Sequence, residues 1–464
     1  MNRRSFLQSL PAAALAAAAS PSLCAPAAPA ACGSLAFVAP AAIDGPLARA
    51  LMPPTGQPPL PQSARYKGLR FTGRQRIYSE SIGADTWFPG WAADGSLYSS
   101  YTDGGVNDAQ GRPIRANSQW EDPEGLHERW FRDLGITVRK DALTIQADKR
   151  TTQGHARLDG DDPFALRATP LPPFSRASDR YEGYYPCANL LHNDIWYYGG
   201  YYCHRWLNLH SVPITYELGG FGGFRISRDL GLTWQDSPHD DRSPLFPETG
   251  RCSGGAPIRM GTPHFVDFGR NLEHSPDGYA YLAGHGTYTA DGIANWSSGD
   301  AVSLARIKPS PESINSPAAW EFFAGNSPEG PIWTSDFFRI APVFEWPGGA
   351  GCVNITWQPA LKRYFGFLCG GWADGDAGCY NLWGVESESP TGPWSTIASL
   401  RGPLGGQPYF VCMPGKFNHS ADGKLILFYS ANWRADRAGI PSWKNAQSPE
   451  GAYSLCVAEF ELLD

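Results

Sequence analysis

Charge is scarce in this chain. Only 18% of its 464 residues are Asp, Glu, Lys or Arg. Lys and Arg number 38 against 45 Asp and Glu, for a net charge of −7. Nucleic-acid binding needs concentrated Lys and Arg against phosphate, so that class of partner is excluded. Long apolar runs are missing after residue 40, so no segment there reads as a membrane span. Extended helical periodicity is missing too; the best helical stretch is the short segment Ser316 to Phe323. The ten cysteines form no Cys-x-x-Cys pair, which argues against a zinc ribbon.

Gly (52), Pro (41) and aromatics (13%) are abundant instead, as in a loop-rich β protein. A loose unit recurs five times: an apolar and aromatic run, a tight turn, and a second apolar strand. The clearest copies are Asp85 to Trp91 before Asp94-Gly95, Gly261 to Asp267 before Asp277-Gly278, and Pro408 to Cys412 before Asp422-Gly423. Two further copies turn differently: Tyr185 to Leu191 with His192-Asn193-Asp194, and Gly351 to Trp357 with Gln358-Pro359-Ala360. Asp-Gly between apolar runs is a strong hairpin signal. A hairpin repeated at long, uneven intervals predicts a radial all-β array, a five-bladed β-propeller with loop insertions. The first strand of each unit is then the innermost strand of its blade.

Three regions follow. Residues 1–32 hold Arg3-Arg4-Ser5-Phe6-Leu7 and an Ala-rich run from Leu10 to Ala19, the pattern of a twin-arginine export signal. Residues 33–62 are an Ala/Pro-rich linker. Residues 63–464 form the propeller. The expected location is periplasmic or secreted, and the expected state a monomer without membrane attachment. Export permits one to three disulfides beside buried thiols.

Ser227-Arg228-Asp229-Leu230-Gly231-Leu232-Thr233-Trp234 matches the Asp-box, S-x-D-x-G-x-T-W. The box caps an outer hairpin in sialidase-like propellers, so Asp229 reads as architectural. Candidate catalytic groups are polar residues on or beside the innermost strands. Asp85 starts the first, beside Trp87 and Trp91, where aromatic neighbours would desolvate its charge. His264 lies in the third innermost strand and His285 ends the next strand, a pair suited to proton transfer. Glycosidic hydrolysis uses two carboxyls, and Asp162, Glu182 and Asp300 are candidates to partner Asp85. Trp87, Trp91, Tyr185 and Trp296 are candidate sugar platforms. Asn354 is a candidate for binding a sugar hydroxyl, and Arg225, Arg339 and Lys416 for holding a sugar carboxylate. No cofactor is required, although a structural or central-channel Ca2+ is compatible with the fold.

The segments Ala84-Asp85-Thr86-Trp87, Gly160-Asp161-Asp162-Pro163, Pro263 to Gly269, Glu321 to Gly325 and Leu361-Lys362-Arg363-Tyr364 resemble a family of exported bacterial propellers. That family is related to the group containing endo-D-arabinanases. The resemblance covers about residues 65 to 462. It implies a five-bladed propeller acting on carbohydrate, with Asp85 placed like the base of arabinanase-type glycosidases. The chain departs from sialidases in lacking an arginine triad and a repeated Asp-box. It matches the Asp, Asp and Glu set of arabinanases only at Asp85. The expected function is hydrolysis of a polysaccharide or oligosaccharide. The alternatives are a lyase using His264 or His285 on a uronate, and a non-catalytic glycan-binding propeller.

Overall fold

In the computed structural model, residues 58–464 are described except 79–81, 112, 117–152, 173, 175–183, 207–214, 252, 291, 374–375, 401–403, 405 and 433–453. The chain is all-β, with only single 3-10 turns among the described residues outside the strands. Five antiparallel sheets follow one another along the sequence. Blade 1 orders Ile82–Asp85, Leu97–Asn107, Gly154–Asp159 and Arg167–Pro170. Blade 2 orders Tyr184–His192, Ile195–Trp206 and Thr215–Ser227. Blade 3 runs from Gly261–Phe265 through Ala280–Gly286 and Ala301–Ile307 to Glu321–Ser327 and Gly330–Thr334. Blade 4 orders Asn354–Gln358, Arg363–Ala373, Asp376–Ser387 and Ser395–Ser399.

Blade 5 closes the ring. Its first three strands are Gly406–Cys412, Lys424–Asn432 and Ser454–Leu463, and its fourth is Gly68–Ile77 from the other end of the sequence. Gly68 pairs with Leu463 and Ile77 with Cys456. The fold is therefore the expected five-bladed propeller, and each of the five repeated units forms an innermost strand, a turn and a second strand. The 316–323 segment is not a helix. Pro317–Ala319 makes one 3-10 turn, and Glu321 then enters a strand pairing with Arg306.

Large aromatic and aliphatic side chains fill the spaces between blades. One core joins blades 2, 3 and 4; others join blades 4 and 5, blades 1 and 5, and blades 1 and 2. A small fifth cluster of Phe88, Cys352, Cys369 and Phe410 lies where innermost strands converge. The Asp-box forms as expected. Ser227 Oγ donates to Asp229 at 2.8 Å, and Asp229 accepts from the Thr233 N–H at 2.8 Å and its hydroxyl at 2.6 Å. Trp234 packs against Trp196 and Tyr198 in the core between blades 1 and 2.

Folded structure begins slightly before residue 63. The Thr396 N–H donates to the Pro61 carbonyl, and the Ser63 N–H donates to the Thr396 carbonyl, both at 2.8 Å. Residues assigned to the end of the linker thus pair with the outer strand of blade 4. The export signal lies outside the described residues.

Candidate functional site

Each innermost strand path runs from the mouth of the central channel to the opposite, lower face, where the repeated turns lie; in blade 1 it breaks after Asp85 and resumes at Gly90–Trp91, which pairs with Tyr98 and Leu97. Four of the five carry a non-glycine residue with a left-handed backbone in or next to the strand: Thr86 (φ 61°), Thr262 (φ 37°), Cys352 (φ 43°) and Phe410 (φ 51°). Such a residue breaks the alternation of side chains and shifts the ladder register. The register shifts across Thr262, between Gly261 and His264, and across Phe410, between Tyr409 and Cys412; a further shift, between Gly83 and Asp85, directly precedes Thr86. Strained backbone of this kind persists where the surroundings hold it, often at functional sites.

Asp85 is fully buried at the end of Ile82–Asp85 and pairs with Thr102. The next residue, Thr86, is also buried, and its carbonyl accepts from Ser100 Oγ at 3.1 Å. Two residues on, Trp87 does not line the channel. The left-handed step at Thr86 turns it into the core between blades 1 and 5, where it stacks on Tyr101 at 5.3 Å. It is a packing residue and not a sugar platform.

The channel is filled at its waist. The ring of Phe88 meets that of His264 at 3.6 Å and that of Phe410 at 5.3 Å. His264 is buried, and burial, followed by the nearby His285, pushes its pKa well below the usual histidine range. His285 is a separate feature. Its Nε2 lies 2.7 Å from the Asn295 carbonyl, so that nitrogen carries the proton, and Nδ1 accepts from the Thr262 hydroxyl at 3.1 Å. Burial lowers its pKa to about 4, with the Asn295 carbonyl opposing that shift. The neutral ring ties the strained Thr262 to the loop that carries Trp296. The two histidines do not act as a pair on one rim, because the bulge after Gly261 places His264 opposite Ala283.

Trp296 remains near the mouth half of the channel. Its half-buried ring packs on the Phe88–Phe410 cluster, and its indole N–H donates to the Tyr201 hydroxyl at 2.6 Å. Tyr185 is buried and stacks on Tyr201, so it supports this wall without being exposed to a ligand. Asp300 also lies on this side but is committed. It accepts from the Thr287 hydroxyl at 2.7 Å and the Gly348 N–H at 3.1 Å, fixing two loops of blade 3. Glu182 lies outside the described residues.

Four other candidates belong elsewhere. Asp162 is exposed in the turn between outer strands of blade 1, at the lower face, where it pairs with Arg74 at 3.3 Å. Lys416 is at that face too. Its ammonium donates to the carbonyls of Gly95 at 2.7 Å and Gly160 at 2.8 Å, locking blade 5 to blade 1. Arg225 is held by Asp236 at 3.0 Å, by Gln153, and by the rings of Phe174 and Tyr184 between blades 1 and 2. Trp91 sits at the lower end, under the Arg270 guanidinium. Asp162, Lys416 and Arg225 are thus committed to contacts from distant parts of the sequence, and Trp91 is not at the mouth.

Below the waist lies a cavity that opens to solvent at the lower face. Trp91, His264, Asp267 and Asn354 are on its wall. Asp85 is not, so Asp85 and His264 do not share this cavity. The donors here suit Ca2+ poorly. That ion takes about six to eight oxygen ligands, and among the described residues no group of three or more His, Cys, Asp or Glu side chains could hold a metal.

Buried acids were missed by sequence reasoning. Glu248 accepts from the N–H groups of Arg259 and Met260 at 2.7 and 2.9 Å, and Glu217 from that of Arg251 at 2.7 Å. Both brace the loop leading from blade 2 to blade 3. Burial raises the Glu248 pKa to about 7 despite those donors. Cys187 and Cys412 are buried free thiols.

No family model matches the chain, and the search of curated proteins found no match. Among solved structures the chain is similar to a GH43_1 enzyme from Xanthomonas citri, at 12% identity and a TM-score of 0.41, covering 84% of this chain and 90% of that one. It is similar to a family 117 glycoside hydrolase from the marine bacterium Zobellia galactanivorans, at 10% identity and 0.42, covering 86% and 90%. It is also similar to an α-L-arabinofuranosidase from Podospora anserina solved with cellotriose, at 8% identity and 0.37, covering 87% and 95%.

Proposed function

We propose that the protein is an exported glycoside hydrolase that cleaves a neutral polysaccharide or oligosaccharide at the mouth of the channel. The observation that carries this reading is the Asp85–Thr86 step. A fully buried carboxyl group ends the first strand of blade 1, and a left-handed threonine follows it. In this reading Asp85 is the base or nucleophile. Cleavage of a glycosidic bond uses a second carboxyl as acid. Asp162 is at the wrong face and Asp300 pins loops, which leaves Glu182, just before the innermost strand of blade 2, as the assigned acid.

Neutral sugars are favoured over uronates or sialates because Arg225 and Lys416, two of the three proposed carboxylate holders, are engaged elsewhere, and the third, Arg339, lies on the Phe337–Arg339 turn, outside the innermost strands. The lyase alternative has less support. His285 would have to give up its bond to the Asn295 carbonyl or to Thr262 to move a proton, and His264 is enclosed by Phe88. The test is a product assay on neutral and acidic glycans. New reducing ends without an unsaturated product would support hydrolysis. An unsaturated uronate would replace it with elimination, and binding without turnover would leave a glycan-binding propeller.

A further inference from the structure

The lower cavity has unpaired polar groups on its wall. Asn354 lies on this wall and is 7% exposed. His264 is 2% exposed, and neither ring nitrogen has a partner. The indole N–H of Trp91 is likewise buried without a partner. Buried polar atoms are nearly always paired, and an exception calls for a water or a bound molecule.

Polar groups beside them on the same wall follow the ordinary rule. The Asn189 amide donates to the Phe88 carbonyl and to Ser100 Oγ, both at 2.9 Å, and Thr356 donates to the Met413 carbonyl at 2.7 Å. On this wall the buried groups left without a partner are the His264 ring and the Trp91 indole N–H. Asp267 adds acceptor capacity, since its carboxylate is fixed by the N–H groups of Gly269 at 2.8 Å and Gly415 at 2.7 Å.

The chemistry of the wall narrows the ligand. An imidazole offers one donor and one acceptor, an amide two donors and an acceptor, and an indole one donor. Aromatic and aliphatic surface lies between them. No Lys or Arg lines the cavity, so an anion has no partner charge. Hydroxyl groups both donate and accept, and the C–H faces of a polyol suit apolar and aromatic walls.

We propose that the lower end of the channel is a second binding site, on the face opposite the mouth, for a small neutral polyol or a single sugar ring. It stands independently of hydrolysis at Asp85. The opening at the lower face gives access without passage through the Phe88–His264 waist.

The test is titration of glycerol and of D-glucose into the full chain, followed by calorimetry and tryptophan fluorescence. It compares wild type with Asn354→Leu, Trp91→Phe and Asp85→Asn. The expected result is one saturable event for at least one probe. Asn354→Leu should weaken it about tenfold, as for loss of one well-made hydrogen bond. Trp91→Phe should weaken it less, and Asp85→Asn should leave it unchanged. Absence of saturable binding of both probes to wild type would overturn the proposal. So would an event abolished by Asp85→Asn and untouched by the lower-cavity variants. If Asn354→Leu does not fold, Trp91→Phe decides, because it removes the indole N–H while keeping an aromatic ring on the cavity wall.

Discussion

The imidazole of His264 lies against the ring of Phe88, with centroids 3.6 Å apart. Blades 1 and 3 thus touch across the axis of the propeller, and Phe410 of blade 5 closes in at 5.3 Å from Phe88. This contact separates a mouth half, which contains the Asp85–Thr86 step, from a lower half with its own cavity. A histidine in this position is a packing element with unsatisfied nitrogens, and it is not placed to exchange protons at the mouth.

Acid should destabilise the fold through its buried histidines. His155 and His285 are both held down to about 4, chiefly by burial, against 6.5 for an ordinary histidine. Between those values the unfolded chain binds more protons than the folded one. The stability these neutral rings contribute is therefore fully present above pH 6.5 and is lost as pH falls toward 4. The slope is about 1.4 kcal/mol per pH unit for each ring. Urea unfolding of wild type and His285→Gln from pH 7 to pH 4 should show a shallower dependence in the variant. Equal slopes would contradict the assigned state of His285.

Asp229 should matter to stability and not to turnover. It holds the Asp-box turn on the outer side of blade 2 through Ser227 and Thr233. Asp229→Ala should cost about 1–2 kcal/mol, as for loss of a turn-capping group. Denaturant midpoints check the cost, and kcat should stay at the wild-type value. Full stability with lost activity would reverse the assignment.

Ring closure should depend on the first strand. A chain starting near Gln57 keeps the Pro61 and Ser63 bonds to Thr396 and should unfold like the full-length protein. A chain starting at Tyr78 loses every partner of Ser454–Leu463 on that side. It leaves an open blade edge, which favours aggregation. Soluble, cooperative folding of the shorter chain would show that closure is dispensable.

The architecture was legible because it rests on local signals. Asp94-Gly95, Asp277-Gly278 and Asp422-Gly423 mark hairpins by turn chemistry, and all five repeated units became innermost and second strands. The Asp-box was legible for the same reason. The site was less so. Thr86, Thr262, Cys352 and Phe410 are not residues that announce a left-handed backbone, so the turn of Trp87 into the core has no signal in the sequence. The commitments of Arg225 to Gln153 and of Lys416 to Gly160 come from distant parts of the sequence. The lower-face position of Lys416 was within reach, however, since it follows the end of the innermost strand at Cys412.

Turnover of Asp85→Asn tests the central claim most directly. Wild type and variant would be compared on the neutral glycan that wild type cleaves, by release of reducing ends, with melting temperatures measured in parallel. Hydrolysis by a carboxylate at the mouth predicts a loss of about 10²-fold or more in kcat, the scale expected when a general acid or base is removed, with a nearly unchanged melting temperature. A variant that cleaves at the wild-type rate would contradict the assignment of Asp85 and the glycosidase reading built on it.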